Sequence, residues 1–276
     1  MIEKQKLQNL ILNIAVDIKK LCDEHGIEYF LNGGTLLGSI RHNGFIPWDD
    51  DFDIGMDRKN FNKFVSVCKQ ALDKEKYSLV TYEDQNYCFL FAKVHLNGTK
   101  IIENFSKDVD VHHGIFVDIF PYDNIPDSTL ARKIFLLKNK VLKNLIWVKC
   151  GYGNQAQKKK ISYKLIKLFA RPFRITYLKS KRNILTNKYN KLPCKNCFLS
   201  DYPSEIIPTK WLEQYSNYCF ETVSFKSLSN YDEFLKHVYG DYMELPPENE
   251  RICHTNCNVD YGEYYKSVDV ITYLRN

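Results

Sequence analysis

Two groups of residues in the first quarter of the chain have the types and spacing that phosphate chemistry needs. Gly33-Gly34-Thr35 is a tight turn at the head of a helical stretch. About fifteen residues later come four carboxylates, Asp49, Asp50, Asp51 and Asp53. Backbone amides at a helix start favour phosphate, because they lack an intrahelical acceptor and face the positive end of the helix dipole. In Asp51-Phe52-Asp53-Ile54 the carboxylates alternate with apolar side chains. A strand with that period buries Phe52 and Ile54 and presents Asp51 and Asp53 together on the other face. Two such carboxylates repel unless a cation or a proton lies between them, and hard divalent cations take oxygen ligands. Asp49 shares their parity; Asp50 does not. A double glycine alone is only a turn, and an acidic run alone is only a solvated loop. The apolar flank Phe45, Ile46, Pro47 and Trp48 sets this run apart. A phosphate cradle beside a metal clamp is the minimum equipment for chemistry on a nucleoside diphosphate.

The same period recurs from Gly114 to Pro121, where Asp118 is the one carboxylate of an otherwise apolar strand. An unpaired buried carboxylate is costly. Asp118 therefore needs a salt bridge, an edge position, or a place facing Asp51 and Asp53 from an adjacent strand. Lys93, in F-L-F-A-K-V-H, needs an anion if it faces the core, and needs none if it faces solvent.

The stretch N-G-G-T-L-L-G-S-I-R-H-N-G-F-I-P-W-D-D-D-F-D-I, Asn32 to Ile54, resembles the signature of the LicD family of phosphotransferases. Y-G-D-Y-M-E-L-P-P, Tyr239 to Pro247, resembles a second motif of that family near its C-terminus. The resemblance covers both ends of the chain; the middle, from Ser128 to Ser200, matches nothing diagnostic. It implies an α/β (α+β) fold, with a polymerase-β-like nucleotidyltransferase core built on a mixed sheet. It implies transfer of phosphocholine from CDP-choline to a glycan. In related branches, fukutin and fukutin-related protein among them, it implies a polyol phosphate instead. An acceptor hydroxyl would attack the phosphorus bearing the small alcohol, and CMP would leave. The acceptor would be a membrane-linked teichoic acid, lipopolysaccharide or capsule precursor, met at the cytoplasmic face of the cell membrane. Asp51 and Asp53 would be the paired metal aspartates and Asp118 the third carboxylate, holding Mg²⁺ or Mn²⁺. Gly33, Gly34 and Thr35 would offer amides and a hydroxyl to phosphate, and Arg41 and Lys93 positive charge. Choline, which cannot donate hydrogen bonds, would need an aromatic cage. Trp48 and Tyr242, the aromatics inside the two motifs, are the first candidates, with packing as the alternative. His254, just beyond the second motif, is a further candidate, with a structural role as its alternative. A catalytically inactive scaffold that binds glycan or membrane is the reading from another class. The intact carboxylates argue against it.

The net charge of +6 conceals an asymmetry. The 73 residues from Ser128 to Ser200 hold 19 Lys or Arg and no Asp or Glu, leaving 20 basic against 33 acidic residues outside them. A basic surface favours anionic partners. Leu130, Ile134, Leu137, Val141, Leu145 and Val148, then Ile161, Leu165, Leu168 and Phe169, interleave the charges at helical spacing. That pattern fits basic amphipathic helices lying on an anionic membrane, or helices packed on the core with a basic outer face. Nucleic acid is disfavoured, since no helix-turn-helix, zinc-finger or ribonucleoprotein signature occurs. The N-terminal stretch has apolar residues at helical spacing broken by charges, unlike a signal peptide. No run of eighteen apolar residues exists to cross a bilayer.

Nine cysteines, an odd number scattered singly, read as free thiols rather than a disulfide framework. Cys194 and Cys197, with Cys253 and Cys257, have spacings that permit a structural zinc. The division expected is a catalytic core over 1–127, a basic helical insertion over 128–200, and a C-terminal part over 201–276 that returns to the core. Expected elements are helices over 2–24, 33–41, 58–72 and 231–239. Strands are expected over 28–31, 77–82, 87–96, 100–105 and 114–120, with Asn97-Gly98 turning a hairpin. A turn-rich connector is expected over 193–208, and a return to the core over 211–225.

Overall fold

The apolar period of the N-terminal stretch becomes α1 (Ile2–Glu24), which buries Leu7, Leu10, Ile14 and Ile18 in the core. The computed structural model describes residues 2–251, 253 and 259–265. After α1 come β1 (Phe30–Leu31), α2 (Gly33–His42), β2 (Asp53–Asp57) and α3 (Arg58–Ala71), then β3 (Tyr77–Val80), β4 (Ala92–Leu96) and β5 (Phe116–Asn124). Four helices follow: α4 (Thr129–Lys149), α5 (Gln155–Lys159), α6 (Ile161–Ala170) and α7 (Ile175–Asn187). The chain returns as β6 (Asn196–Leu199) and β7 (Tyr202–Pro208), adds β8 (Tyr215–Phe220) and β9 (Val223–Leu228), and forms α8 (Tyr231–Tyr239).

The architecture is mixed α/β. Seven strands make one mixed sheet with β5 as its axis. β2 runs parallel along one side of β5, with β1 beyond it. On the other side β4 pairs with the first half of β5 and β6 with its last residues, both antiparallel; β3 lies beyond β4 and β7 beyond β6. β8 and β9 form a separate hairpin. A strand flanked on both sides reads as a continuous apolar run, and β5 is buried from Phe116 to Asp123.

Several expected elements differ. The turn at Asn97-Gly98 exists, with Gly98 at φ +73°, but no strand follows over 100–105. β4 finds its partners in β3 and β5 instead. Residues 87–91 form no ladder and bend at Leu90 and Phe91. Their backbone groups are taken by side chains from distant segments: the Leu90 amide donates to Asp201 Oδ2 at 2.6 Å, and Arg182 Nη1 donates to the Cys88 carbonyl. β1 is shorter than expected, because the Glu28 amide donates to Asn60 Oδ1 rather than to a strand. The 193–208 connector is in fact the β6–β7 pair, which completes the sheet. A boundary at residue 200 therefore falls inside that pair.

The 128–200 segment is fastened to the core by buried polar groups. The fully buried Arg182 of α7 donates from Nη2 to Asp201 Oδ1 at 2.6 Å and from Nε to Asn139 of α4 at 3.0 Å. Arg58 holds Asp123 at the end of β5 with two bonds of 2.7 and 2.6 Å, and the Ser200 hydroxyl donates to the same carboxylate. Buried charges are tolerated only when paired in this way.

Candidate active site

The α2 N-terminus and the start of β2 are built against each other. Asn32 caps α2, donates its amide to the Asp53 carbonyl and accepts at Oδ1 from Tyr122. The Thr35 hydroxyl accepts from the Asp53 amide at 2.8 Å. Gly33 has φ +51°, and a Cβ there would come 3.5 Å from Asp53 Oδ2 and 3.6 Å from the Tyr239 hydroxyl. A Cβ on Gly34 would meet Asp49 Oδ2 at 3.1 Å. Both glycines let the helix start approach the carboxylates closely.

Phe52 and Ile54 are fully buried, while Asp51 and Asp53 are mostly buried but reach the surface on the other side. β2 begins only at Asp53, so Asp51 stands just before the strand. In register, Asp53 of β2 lies beside Asp118 of β5, and Asp118 lies beside Lys93 of β4. Three charged side chains thus form a row across the middle of the sheet. Lys93 Nζ donates to Asp118 Oδ2 at 3.3 Å and stands 3.5 Å from Glu103. The anions that a core-facing Lys93 required are Asp118 and Glu103.

Asp49, Asp51, Asp53, Asp118, Gly33, Gly34 and Lys93 line one cavity of about 460 Å³. Glu103, Glu205, Tyr202, Tyr239 and Phe89, Phe91, Phe105 and Phe120 also line it, with Asn32 and Leu199. Asp49 pointed to the cavity by parity. Glu103, Glu205, Tyr202 and the four phenylalanines were unmarked in the sequence, as was Tyr239, although it opens the second motif. Burial raises Asp53 well above the usual carboxylate range, and the charges of Asp51, Asp118 and Asp49 add to it. Burial carries Asp49 to about 6. Asp118 reaches about 7, again through burial, with Lys93 holding it down. Glu205 is pushed to about 7 by burial. Burial alone would lower Lys93, but Asp118 and Glu103 carry it above its ordinary value and keep it cationic.

These carboxylates suit a divalent cation. Asp118 Oδ1 is buried with no hydrogen-bond partner; Lys93 lies 3.1 Å from it but donates to Oδ2. Lys93 neutralises Asp118 on one side only, and the neighbouring carboxylates of raised proton affinity are what an oxygen-ligated cation would satisfy. Among the described residues, no three acidic, histidine or cysteine side chains are already drawn around one point. Like charges stay apart until a cation or a proton is shared.

Four expected roles change. Thr35 is buried and spends its hydroxyl on the Asp53 amide, so it positions the carboxylate rather than a phosphate. Arg41 lies outside the cavity. Its Nη1 donates to the carbonyls of Tyr242 and Glu244 at 2.7 and 3.1 Å, tying the first motif to the second. Trp48 is also outside, with its ring edge-on to His42 and covered by Arg251 at 5.2 Å. Its π face already holds a cation. Tyr242 is buried, with its hydroxyl donating to Asp232, and Tyr239, three residues earlier, is the motif aromatic that reaches the cavity. His254 and Cys257 lie outside the described residues. Of the other cysteines weighed for zinc, Cys197 is buried in β6 and donates to the Ile207 carbonyl. Burial raises its thiol pKa, against the deprotonation that zinc requires. Cys194 donates to Tyr189, and Cys253 is half-buried.

Residues 26–147 match the LicD/FKTN/FKRP nucleotidyltransferase domain family. The chain is 32% identical over 265 residues to the lipopolysaccharide cholinephosphotransferase LicD of Haemophilus influenzae, an alignment covering 90% of this chain and 94% of that protein. The chain belongs to the LicD family. It is also 42% identical over 97 residues to the human ribitol 5-phosphate transferase FKRP, covering 35% of this chain and 17% of that protein. A Rickettsia typhi protein of uncharacterized function is 32% identical over 134 residues, 46% of this chain and 38% of that protein.

Proposed function

We propose that this LicD-family chain transfers phosphocholine from CDP-choline to a hydroxyl of a cell-surface glycan precursor, with release of CMP. On this reading the sheet is a polymerase-β-like nucleotidyltransferase core, working at the cytoplasmic face of the cell membrane. The observation that carries the reading is the make-up of one cavity, in which six carboxylates share the wall with aromatic rings. A quaternary ammonium offers no hydrogen-bond donor and is held by π faces and anions. Tyr239 and Phe120 supply faces that no cation among the described residues covers, whereas Lys143 already lies 5.3 Å over the Tyr202 ring and Lys93 5.7 Å over that of Phe91, and Glu103 and Glu205 supply negative charge. Similarity to a cholinephosphotransferase over nearly the whole chain supports the same substrate.

Asp51, Asp53 and Asp118 would hold Mg²⁺ or Mn²⁺. When bound, such an ion neutralises the diphosphate and stabilises the departing CMP. Lys93, fixed between Asp118 and Glu103, brings a permanent positive charge to the same cavity. The first amides of α2, at Gly33 and Gly34, have no intrahelical acceptor and are available to phosphate oxygens. Asp118 completes that metal site or, where it is not a ligand, accepts the attacking hydroxyl's proton, the role its raised proton affinity suits.

A second reading keeps the fold and changes the donor to CDP-ribitol or CDP-glycerol. Glu103 and Glu205 can accept from polyol hydroxyls, and the match to a ribitol 5-phosphate transferase favours it. CMP release measured side by side from CDP-choline, CDP-ethanolamine, CDP-ribitol and CDP-glycerol separates the two. CDP-choline should give the highest kcat/KM, and Tyr239→Ala should narrow its lead while Trp48→Ala leaves it. Preference for a CDP-polyol by the wild type would replace the first reading with the second.

A further inference from the structure

The apolar positions of the basic segment do not all turn inward. On α4, Leu130 is 70% exposed, Ile134 46%, Leu137 62% and Val141 50%. At about 100° per residue these four fall within an arc of roughly 60°. Lys133 and Lys140 flank that arc on one side and Lys138 on the other, all exposed. α6, which packs against α4, is more extreme. Ile161 is 76% exposed, Leu165 50%, Leu168 61% and Phe169 70%, and only Ala170 of the ten residues is fully buried. Lys164 and Lys167 are exposed on the same helix. A ten-residue helix that buries so little of its apolar surface gains little from its own protein. Exposed apolar side chains gathered on one arc of a helix and rimmed by lysines mark a docking face.

We propose that α4 and α6 form a surface that lies on an anionic lipid bilayer, with the α6 apolar face in the acyl boundary and the surrounding lysines at the headgroups. The charge decides the occupant. The segment carries 19 basic and no acidic residues, so a second copy would bring like charge against like charge. An anionic leaflet is complementary to both halves of the pattern: apolar side chains enter it and lysine stems snorkel to its phosphates. No helix among the described residues is long and apolar enough to cross a membrane, so this contact would be peripheral. The assignment rests on the α4–α6 surface and not on the chemistry of the carboxylate cavity.

The test is co-sedimentation of the full chain with phosphatidylcholine vesicles, with and without phosphatidylglycerol. The wild type should bind the anionic vesicles preferentially and release as salt rises, since exposed charges are screened over about 8 Å at physiological ionic strength. Leu165→Glu with Phe169→Glu should lower the partition coefficient by about tenfold or more, and Leu137→Glu on α4 should lower it independently. Unchanged melting curves establish that these exposed-site variants fold. Asp53→Asn should bind like wild type, so failure of the phosphotransfer reading would leave this result standing. Equal binding to neutral and anionic vesicles overturns the proposal. So does undiminished binding by the glutamate variants. A variant that turns a dimer into a monomer with vesicle binding intact also overturns it, and assigns the face to a second copy.

Discussion

Replacing Asp53 by Asn should abolish transfer and, with no divalent cation present, make the protein more stable above neutral pH. Asp53 and Asp118 sit opposite each other on paired parallel strands, so their carboxylates lie at about the strand spacing of 5 Å. At an effective dielectric of about 20, two unit charges that far apart repel by about 3 kcal/mol. Both carboxyls, and Asp49, have proton affinities raised by burial and by each other. A carboxyl whose folded pKa exceeds its unfolded value of about 3.9 binds protons better when folded. Its contribution is therefore present at low pH and is lost as pH rises through about 6 for Asp49 and about 7 for Asp118. Above about pH 7, with Asp49 and Asp118 charged, removing Asp53 relieves both neighbours of its charge, or the fold of the cost of keeping that carboxyl protonated. One kcal/mol moves Tm by about 2–4 °C in a chain of this size, so the asparagine variant should melt about 6 °C or more above wild type in EDTA. Near pH 5 the difference should shrink, because the wild-type carboxyls are then largely protonated. Added Mg²⁺ should raise the wild-type Tm at the higher pH and leave the variant unmoved. Thermal melts at the two pH values, with EDTA or Mg²⁺, read all of this. A variant no more stable than wild type at high pH, or transfer activity within tenfold of wild type, would refute the reasoning about this cluster.

Thr35→Val should lower kcat with little change in donor KM, because it removes the acceptor that holds the Asp53 amide; a rise in KM alone would return Thr35 to a phosphate-binding role. Loss of that partly buried bond should also cost about 1 kcal/mol in urea unfolding. Arg182→Met, which strands the buried Asp201 carboxylate, should destabilise by about 3–5 kcal/mol. Adding Asp201→Asn should recover part of the loss, since the asparagine oxygen can still accept from the Leu90 amide. If the double variant unfolds at the same urea concentration as the single one, the pair is not what fastens α7 to the core.

What the sequence determined by itself was local and periodic. The helical spacing of Leu7 to Ile18 specified α1, and the two-residue alternation around Asp51 and Asp53 specified which side chains are buried. These follow from the 3.6- and 2-residue periods of the backbone, which any window of the chain displays. The lone carboxylate in an apolar strand likewise announced that Asp118 needed a partner, without saying which. The tertiary structure alone decided the partners, because strand pairing joins residues far apart in the chain. The β2–β5–β4 register set Asp53, Asp118 and Lys93 in one row, and no spacing in the sequence encodes that row. It sent Arg41 to the carbonyls of the second motif, covered Trp48 with Arg251, and brought Tyr239 rather than Tyr242 to the cavity. It also settled which apolar residues of the basic segment are hidden. Phe135 and Ile146 are buried while Leu137 and Leu165 face outward, because helical periodicity shows that a helix has an apolar stripe but not what lies against it.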